Sequence, residues 1–230
     1  MLRAMVGLER PGQGSTKVVG KHAFAGIPVS AKRTKLQAIA KNAAPTSSRA
    51  SAVLIATHLS DAHSLTISEL ASGQAAAAEL IEPLASLPAI VLIDGQLDLL
   101  DPWALKDVLA FMRLQENVAF IVSTNRPDVM ARADFLVVLR RNTVRFAGTT
   151  AELIRAAGKQ DFSVTTENAL GVRAICEPFE VSITQIDSGL QLQARDGQDL
   201  AAALLLEGYG DIKLLVSRHS TIEEAMLAIE

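Results

Sequence analysis

One cysteine, Cys176, is all that the 230 residues contain. An intramolecular disulfide is therefore excluded, and so is a zinc site built on cysteines. The four histidines, His22, His58, His63 and His219, are scattered without the spacing of metal ligands, so no metal centre is expected. Basic charge is not in excess either. Lys and Arg number 22 against 25 Asp and Glu, a net charge of −3. Such a balance offers no broad basic face, and nucleic acid is not an expected partner. Long apolar runs are missing too: none approaches the roughly 20 residues that cross a bilayer. The N-terminus carries no signal-peptide pattern. The expectation is a cytoplasmic chain without a membrane span, soluble by itself.

What the chain does have is apolar content, 49% of its residues, enough for a sizeable core in one large or two small domains. The organising stretch is LPAIVLIDGQLDLLDP, residues 87–102. Its unbroken, β-branched run at 89–93 reads as a buried parallel strand that ends on a carboxylate, Asp94. In open α/β sheets that C-terminal edge is where ligands bind. Asp101 is placed to cap the next helix, with Pro102 at its first position. Taken alone, the stretch reads equally well as a core strand with an ordinary capping turn.

The flanks weigh on this choice. Upstream lies LASGQ (Leu70, Ala71, Ser72, Gly73, Gln74), then an alanine-rich helical segment at 75–85. Downstream lies a second buried-strand run, AFIVST at 119–124, followed by Asn125. Strands at 135–139 and 144–146 are predicted to form a hairpin. In this order the pieces resemble the ATP-binding subunit of an ATP-binding-cassette (ABC) transporter. Leu70–Gln74 resembles the LSGGQ signature, Asp94 the end of Walker B, Leu100-Asp101 the D-loop, and Asn125 the switch position that normally holds histidine. The 20 positions from Gln74 to Asp94 are what one helix and one strand require.

The remaining segments extend the reading. Residues 1–8 are expected to be helical and 16–19 to form a strand. The stretch GQGST at 12–16 is not a P-loop, because no lysine follows Gly14 and a strand, not a helix, is expected next. Residues 2–20 instead resemble the family's segment just after Walker A, so the phosphate-binding loop and its lysine are expected to be missing. A basic helical piece at 31–35 and an apolar strand at 36–40 would lead to the Q-loop, whose glutamine position falls on Lys41. Residues 42–52, small and polar, read as a loop. The interval 41–70 is read as a shortened helical region, with 53–56 a buried strand or one helical turn and 66–69 leading into the signature helix. Residues 102–115 form an amphipathic helix whose Trp103, Leu105, Val108, Leu109 and Met112 are assigned to the core. Another helix begins at 126, and a capped helix runs to Ala157. From 158 the alternation changes to that of half-buried antiparallel strands at 162–166, 179–186 and 190–194. Helices at 200–208 and 221–229 flank a strand at 212–216. This tail resembles the C-terminal extension of ABC-2-type, drug-resistance-type exporters. A generic regulatory or oligomerising module reads equally from the same residues.

The predicted fold is thus α/β: a truncated P-loop-NTPase-like domain (1–157) with a mostly parallel sheet and flanking helices, followed by a small α+β domain (158–230). The resemblance implies a lost chemistry. The glutamate position after Asp94 is Gly95, the histidine position is Asn125 and the glutamine position Lys41, so no catalytic residue and no metal ligand are assigned. ATP and magnesium enter only if shared with a partner subunit. The expected role is a catalytically silent subunit, peripheral at the inner face of the cell membrane. It would pair in a hetero-oligomer with an active ABC ATPase subunit, dock on a membrane permease, or both. Two alternatives remain open at this level. One is an active ABC subunit with an unrecognised or upstream phosphate site. The other is a scaffold or regulator that uses the fold outside transport.

Overall fold

The structure is a computed structural model and describes residues 1–26, 34–157, 160–194 and 197–229. Two compact units make up the chain, Met1–Arg126 and Pro127–Glu230. Among the described residues, no helix is long and apolar enough to cross a membrane.

The first unit is built on a three-stranded parallel sheet. Its elements are α1 (Leu2–Met5), β1 (His22–Ala25), α2 (Leu36–Ala43), α3 (Ser47–Ala56), α4 (Ser72–Glu79), α5 (Ile81–Ser86), β2 (Ile90–Asp94), α6 (Pro102–Arg113) and β3 (Ala119–Ser123). The strand order is β1-β2-β3, so β2 is central and pairs on both sides. That position explains its composition: Val91, Leu92 and Ile93 are wholly buried, as a strand covered on both faces requires. The register sets Ala25 beside Ile93 and Asp94 beside Ser123, which lines up the C-terminal ends of all three strands.

Three local expectations are corrected here. The N-terminal strand is His22–Ala25, not 16–19. Gly20 turns the chain with φ +110°, and only beyond it does the backbone run beside β2; Val19 is left 73% exposed. Residues 36–40 are the start of α2 rather than a strand, and Leu36, Ile39 and Ala40 share its buried face at spacings of three and four. The polar stretch 42–52 is mostly helix, because Thr46 caps α3 by accepting the Arg49 N–H at 3.2 Å and Ala and Ser then propagate it. Residues 53–56 form its last turn. The basic piece expected at 31–35 lies mostly outside the described residues.

Arg49 joins three helices of this unit. It donates to the Leu84 carbonyl of α5 (2.8 Å) and to Gln115 Oε1 just past α6 (2.9 Å), and its guanidinium lies 4.4 Å over the Phe111 ring. Burial pulls its pKa down from the usual arginine value. Arg49→Ala removes two charge-assisted hydrogen bonds and a cation–π contact at once. We expect a loss of about 2 kcal/mol, read as a shift in the urea midpoint. Arg49→Lys should recover little, since an ammonium cannot reproduce the planar fork. An unchanged midpoint for Arg49→Ala would refute this role.

Helix α6 begins as the sequence indicates. Asp101 accepts the N–H groups of Trp103 (2.9 Å) and Ala104 (3.0 Å), with Pro102 in the first turn. These bonds, the Ala104 one first, hold the Asp101 carboxyl below its usual range. Trp103, assigned to the core, is 70% exposed. It stands two residues from Leu105, about 200° around the helix, so it faces away from buried Leu105, Val108, Leu109 and Met112.

The second unit contains α7 (Pro127–Met130), β4 (Leu136–Arg140), β5 (Thr143–Gly148), α8 (Thr150–Ala157), β6 (Gln160–Thr166), α9 (Ala169–Cys176), β7 (Val181–Ile186), β8 (Gly189–Ala194), α10 (Gly197–Glu207), β9 (Ile212–His219) and α11 (Ile222–Ala228). Strands β4 and β5 form the predicted hairpin through Arg141 and Asn142, both at positive φ, the conformation that two-residue hairpin turns demand. Helix α8 is capped by a box in which Glu152 accepts from the Thr149 N–H (2.7 Å) and hydroxyl (3.0 Å).

Strands β6 to β9 form a separate antiparallel sheet in the order β7-β8-β6-β9. With α9 and α10 interleaved, this is the β-α-β-β-α-β ferredoxin-like arrangement. Its core is Phe162, Val164, Val172, Cys176, Leu190, Leu192, Leu200 and Leu204. Cys176 is buried there, and burial pushes its thiol pKa up, which keeps it inert. A second core gathers Met130, Val138, Leu153, Ile222 and Ala225. Helix α11 therefore packs with α7, α8 and the hairpin, and the contact boundary falls at 126/127, ahead of the expected 157. The parallel sheet has three strands among the described residues; the other six strands are antiparallel.

Candidate functional site

The parallel strands end together at Ala25, Asp94 and Ser123, with Gly26 next along the chain, and the groups at the ends of β2 and β3 bond one another. Asp94 accepts the Ser123 hydroxyl at 2.5 Å, and the Gly95 N–H donates to the Ser123 carbonyl at 3.2 Å. Gly26 passes so close that a Cβ on it would lie 2.9 Å from Asp94 Cβ. Gly95 adopts φ +86°, a left-handed conformation that disfavours any residue with a Cβ, so a glutamate here would be strained.

After Gly95 a short 3-10 turn, Gln96–Leu99, leads to Leu100 and the cap Asp101. Its Asp98 was not singled out by sequence reasoning. Asp98 Oδ1 accepts the Thr124 hydroxyl, and Oδ2 accepts the Asn125 N–H at 3.1 Å. Arg126 completes the contact from the other side: its N–H donates to Thr124 Oγ1 (3.0 Å) and its Nη1 to the Leu100 carbonyl (2.9 Å). Nothing in the spacing pointed to Asp98, because its partners lie 26 and 27 residues further on.

The signature-like residues stand at the start of α4. A capping box at Thr66 and Glu69 precedes them: Glu69 accepts both the Thr66 N–H and hydroxyl at 2.7 Å, and the hydroxyl bond foremost holds its carboxyl below the usual range. Leu70 is half-buried, and Ala71, Ser72, Gly73 and Gln74 are exposed. Ala71, at the cap, has no side-chain oxygen to offer. Gln74 reaches back instead and accepts the Ala71 N–H at 3.3 Å. Helix α4 packs on the Gln96–Leu99 turn, and buried Gln96 donates to Glu79 Oε2 at 3.0 Å. The structure thus connects the signature-like helix, the Asp94–Asp101 stretch and the Asn125 position. Lys41 lies apart on α2, which packs against α3 and α5, and its side chain is exposed. Among the described residues, no group of three or more His, Cys, Asp or Glu side chains gathers as a metal site.

With this geometry in place, solved structures give the decisive comparison. An ATP-binding subunit of an ABC transporter matches over 67% of this chain and 75% of its own, with a TM-score of 0.58 and 20% identity. A bacterial Atm1-family ABC exporter with ATP bound matches over 60% of this chain and 26% of its own, with a TM-score of 0.52 and 16% identity. The likeness is one of fold. Neither the family models nor the curated proteins give a match to the sequence. The ABC-type fold covers only part of the chain and agrees with the mixed α/β architecture seen here.

Proposed function

We propose that this chain is an ABC-type subunit that does not hydrolyse ATP and that pairs with an active ATP-binding subunit in a membrane transport complex. The observation that carries the reading is the state of the strand edge. The Thr124 hydroxyl and the Asn125 amide are engaged by Asp98, and Asp94 is engaged by Ser123. Residues set this way do not fit ATP and magnesium. Phosphate binding needs free donors, and phosphoryl transfer rests almost wholly on positioning and charge stabilisation. Gly95 and Asn125 supply neither a carboxylate nor an imidazole at the positions where the fold's relatives would need them.

The residues that favour pairing are those left outward. Ser72, Gly73 and Gln74 open α4, and Asp101 follows the turn on which α4 packs. In this reading they meet the partner subunit at the cytoplasmic face of the membrane, and the membrane contact belongs to the partner. The test has two arms. Calorimetry with Mg-ATP and a phosphate-release assay on the purified chain should show neither binding nor turnover. Co-expression with candidate ATP-binding subunits and permeases of the same genome, followed by pull-down from membranes, should recover a complex. Micromolar ATP binding, or turnover abolished by Asp94→Ala, would overturn the first arm; a chain that remains a lone monomer would overturn the second.

A further inference from the structure

We propose that Asp98 is a built-in anion that ties the stretch 96–101 to the end of β3 in one arrangement that needs no nucleotide. Both carboxylate oxygens are used. Oδ1 takes the Thr124 hydroxyl, Oδ2 takes the Asn125 amide, and Thr124 Oγ1 is itself the acceptor for the Arg126 N–H. The Thr124 proton is thereby committed to Asp98, and the bonds run in one direction, each polarising the next. Arg126 Nη1 returns to the Leu100 carbonyl. The two segments 98–100 and 124–126 are closed into a ring of hydrogen bonds.

The ring has a specific consequence for ligands. Amides and hydroxyls at the C-terminal edge of a parallel strand are the natural hydrogen-bond donors to an outside anion. Here a carboxylate of the chain itself already occupies them, so an outside phosphate has to displace an intramolecular partner. Asp94, on the neighbouring strand end, adds a second negative charge against any incoming phosphate. Through Gln96 and Glu79 the same turn is linked to α4. A change at the β3 end would therefore reach both the D-loop-like and the signature-like residues, and Asp98 prevents that change. The use of this lock, a pairing surface kept in its engaged form, rests on the pairing reading above; the lock itself does not.

Hydrogen exchange on the full chain tests it. In the native protein, peptides spanning 95–101 and 123–127 should keep the same protection with and without Mg-ATP, Mg-ADP or inorganic phosphate. Asp98→Ala should raise exchange in both peptides, by roughly tenfold at Asn125, the loss expected for a charge-assisted hydrogen bond. Asp98→Asn, which retains one acceptor oxygen, should fall between. Should Asp98→Ala not fold, Thr124→Val removes the hydroxyl alone and should raise exchange in the same peptides. Asp107→Ala, at the exposed contact with His58, is the control and should change neither. Unchanged exchange in the Asp98 and Thr124 variants, or protection of 123–127 by Mg-ATP in the native chain, would overturn the proposal. Exchange reads the lock while phosphate release reads catalysis, so each can fail alone.

Discussion

Gly189→Ala is expected to dismantle the four-stranded sheet of the second unit. Gly189 has φ +152°, and a Cβ built on it would lie 1.9 Å from the Val164 carbonyl oxygen and 3.1 Å from Thr165 Cα. Both atoms are backbone of β6, the strand that β8 pairs with through Thr165 and Gly189. No rotamer relieves such a clash. The strands must separate, and separation uncovers Phe162, Val164, Leu190 and Leu192, all wholly buried. We expect a loss of more than about 3 kcal/mol, combining a forbidden backbone conformation with a broken core. Urea titration followed by circular dichroism should show the second unit unfolding early or already unfolded. Gly12→Ala, where a Cβ meets nothing within 4 Å, is the matched control. A native-like midpoint for Gly189→Ala would refute the packing of β8 on β6.

Gly73→Glu should have the largest effect on assembly with little effect on the chain itself. A Cβ at Gly73 would meet only the Leu99 carbonyl, at an ordinary 3.9 Å. A carboxylate in the first turn of α4 is also favoured by the helix dipole, by about 0.3–1 kcal/mol. The isolated variant should therefore melt at or slightly above the native temperature. In the proposed pairing, the same side chain would present a bulky anion to the partner subunit. An unpaired charge of this kind should weaken pairing by at least roughly tenfold and lower the partner's ATPase activity with it. Equal recovery of native and Gly73→Glu chains in pull-downs, with equal activity, would remove the signature-like residues from the interface.

Legibility followed how local each signal was. The β2 run, the Asp101 cap, the hairpin of 135–146 and the capped start of the helix that runs to Ala157 are each signalled within a few residues, and each stands in the structure as the sequence indicates. The strands of the ferredoxin-like sheet were equally plain from their alternation, but helix α9 between them was not read. Errors arose where a segment's composition and its tertiary setting disagree. Residues 36–40 are apolar enough for a strand, yet Leu36, Ile39 and Ala40 bury one helical face. Residues 42–52 look like a loop because Ser and Ala are small, yet Thr46 supplies the cap that starts α3. Trp103 is grouped by the sequence with Leu105, Val108, Leu109 and Met112 at helical spacing, whereas the actual helix phase places it outward. At the strand edge the sequence pointed to Asp94, Gly95 and Asn125 but not to Asp98, whose meaning depends entirely on a contact with Thr124 and Asn125.

Helix α8 meets α11 only across the whole ferredoxin-like arrangement, whose first and last strands lie side by side with Gln160 opposite His219. On the ribosome, α8 is finished long before Ile222 and Ala225 exist to cover Leu153. At synthesis rates of about 5–20 residues per second, that apolar face waits for seconds. The intervening sheet can close first, since all its strands precede α11 in the chain, and its closure brings the exit of β9 beside the entry of β6. The last helix then has a short distance to search before it covers Leu153.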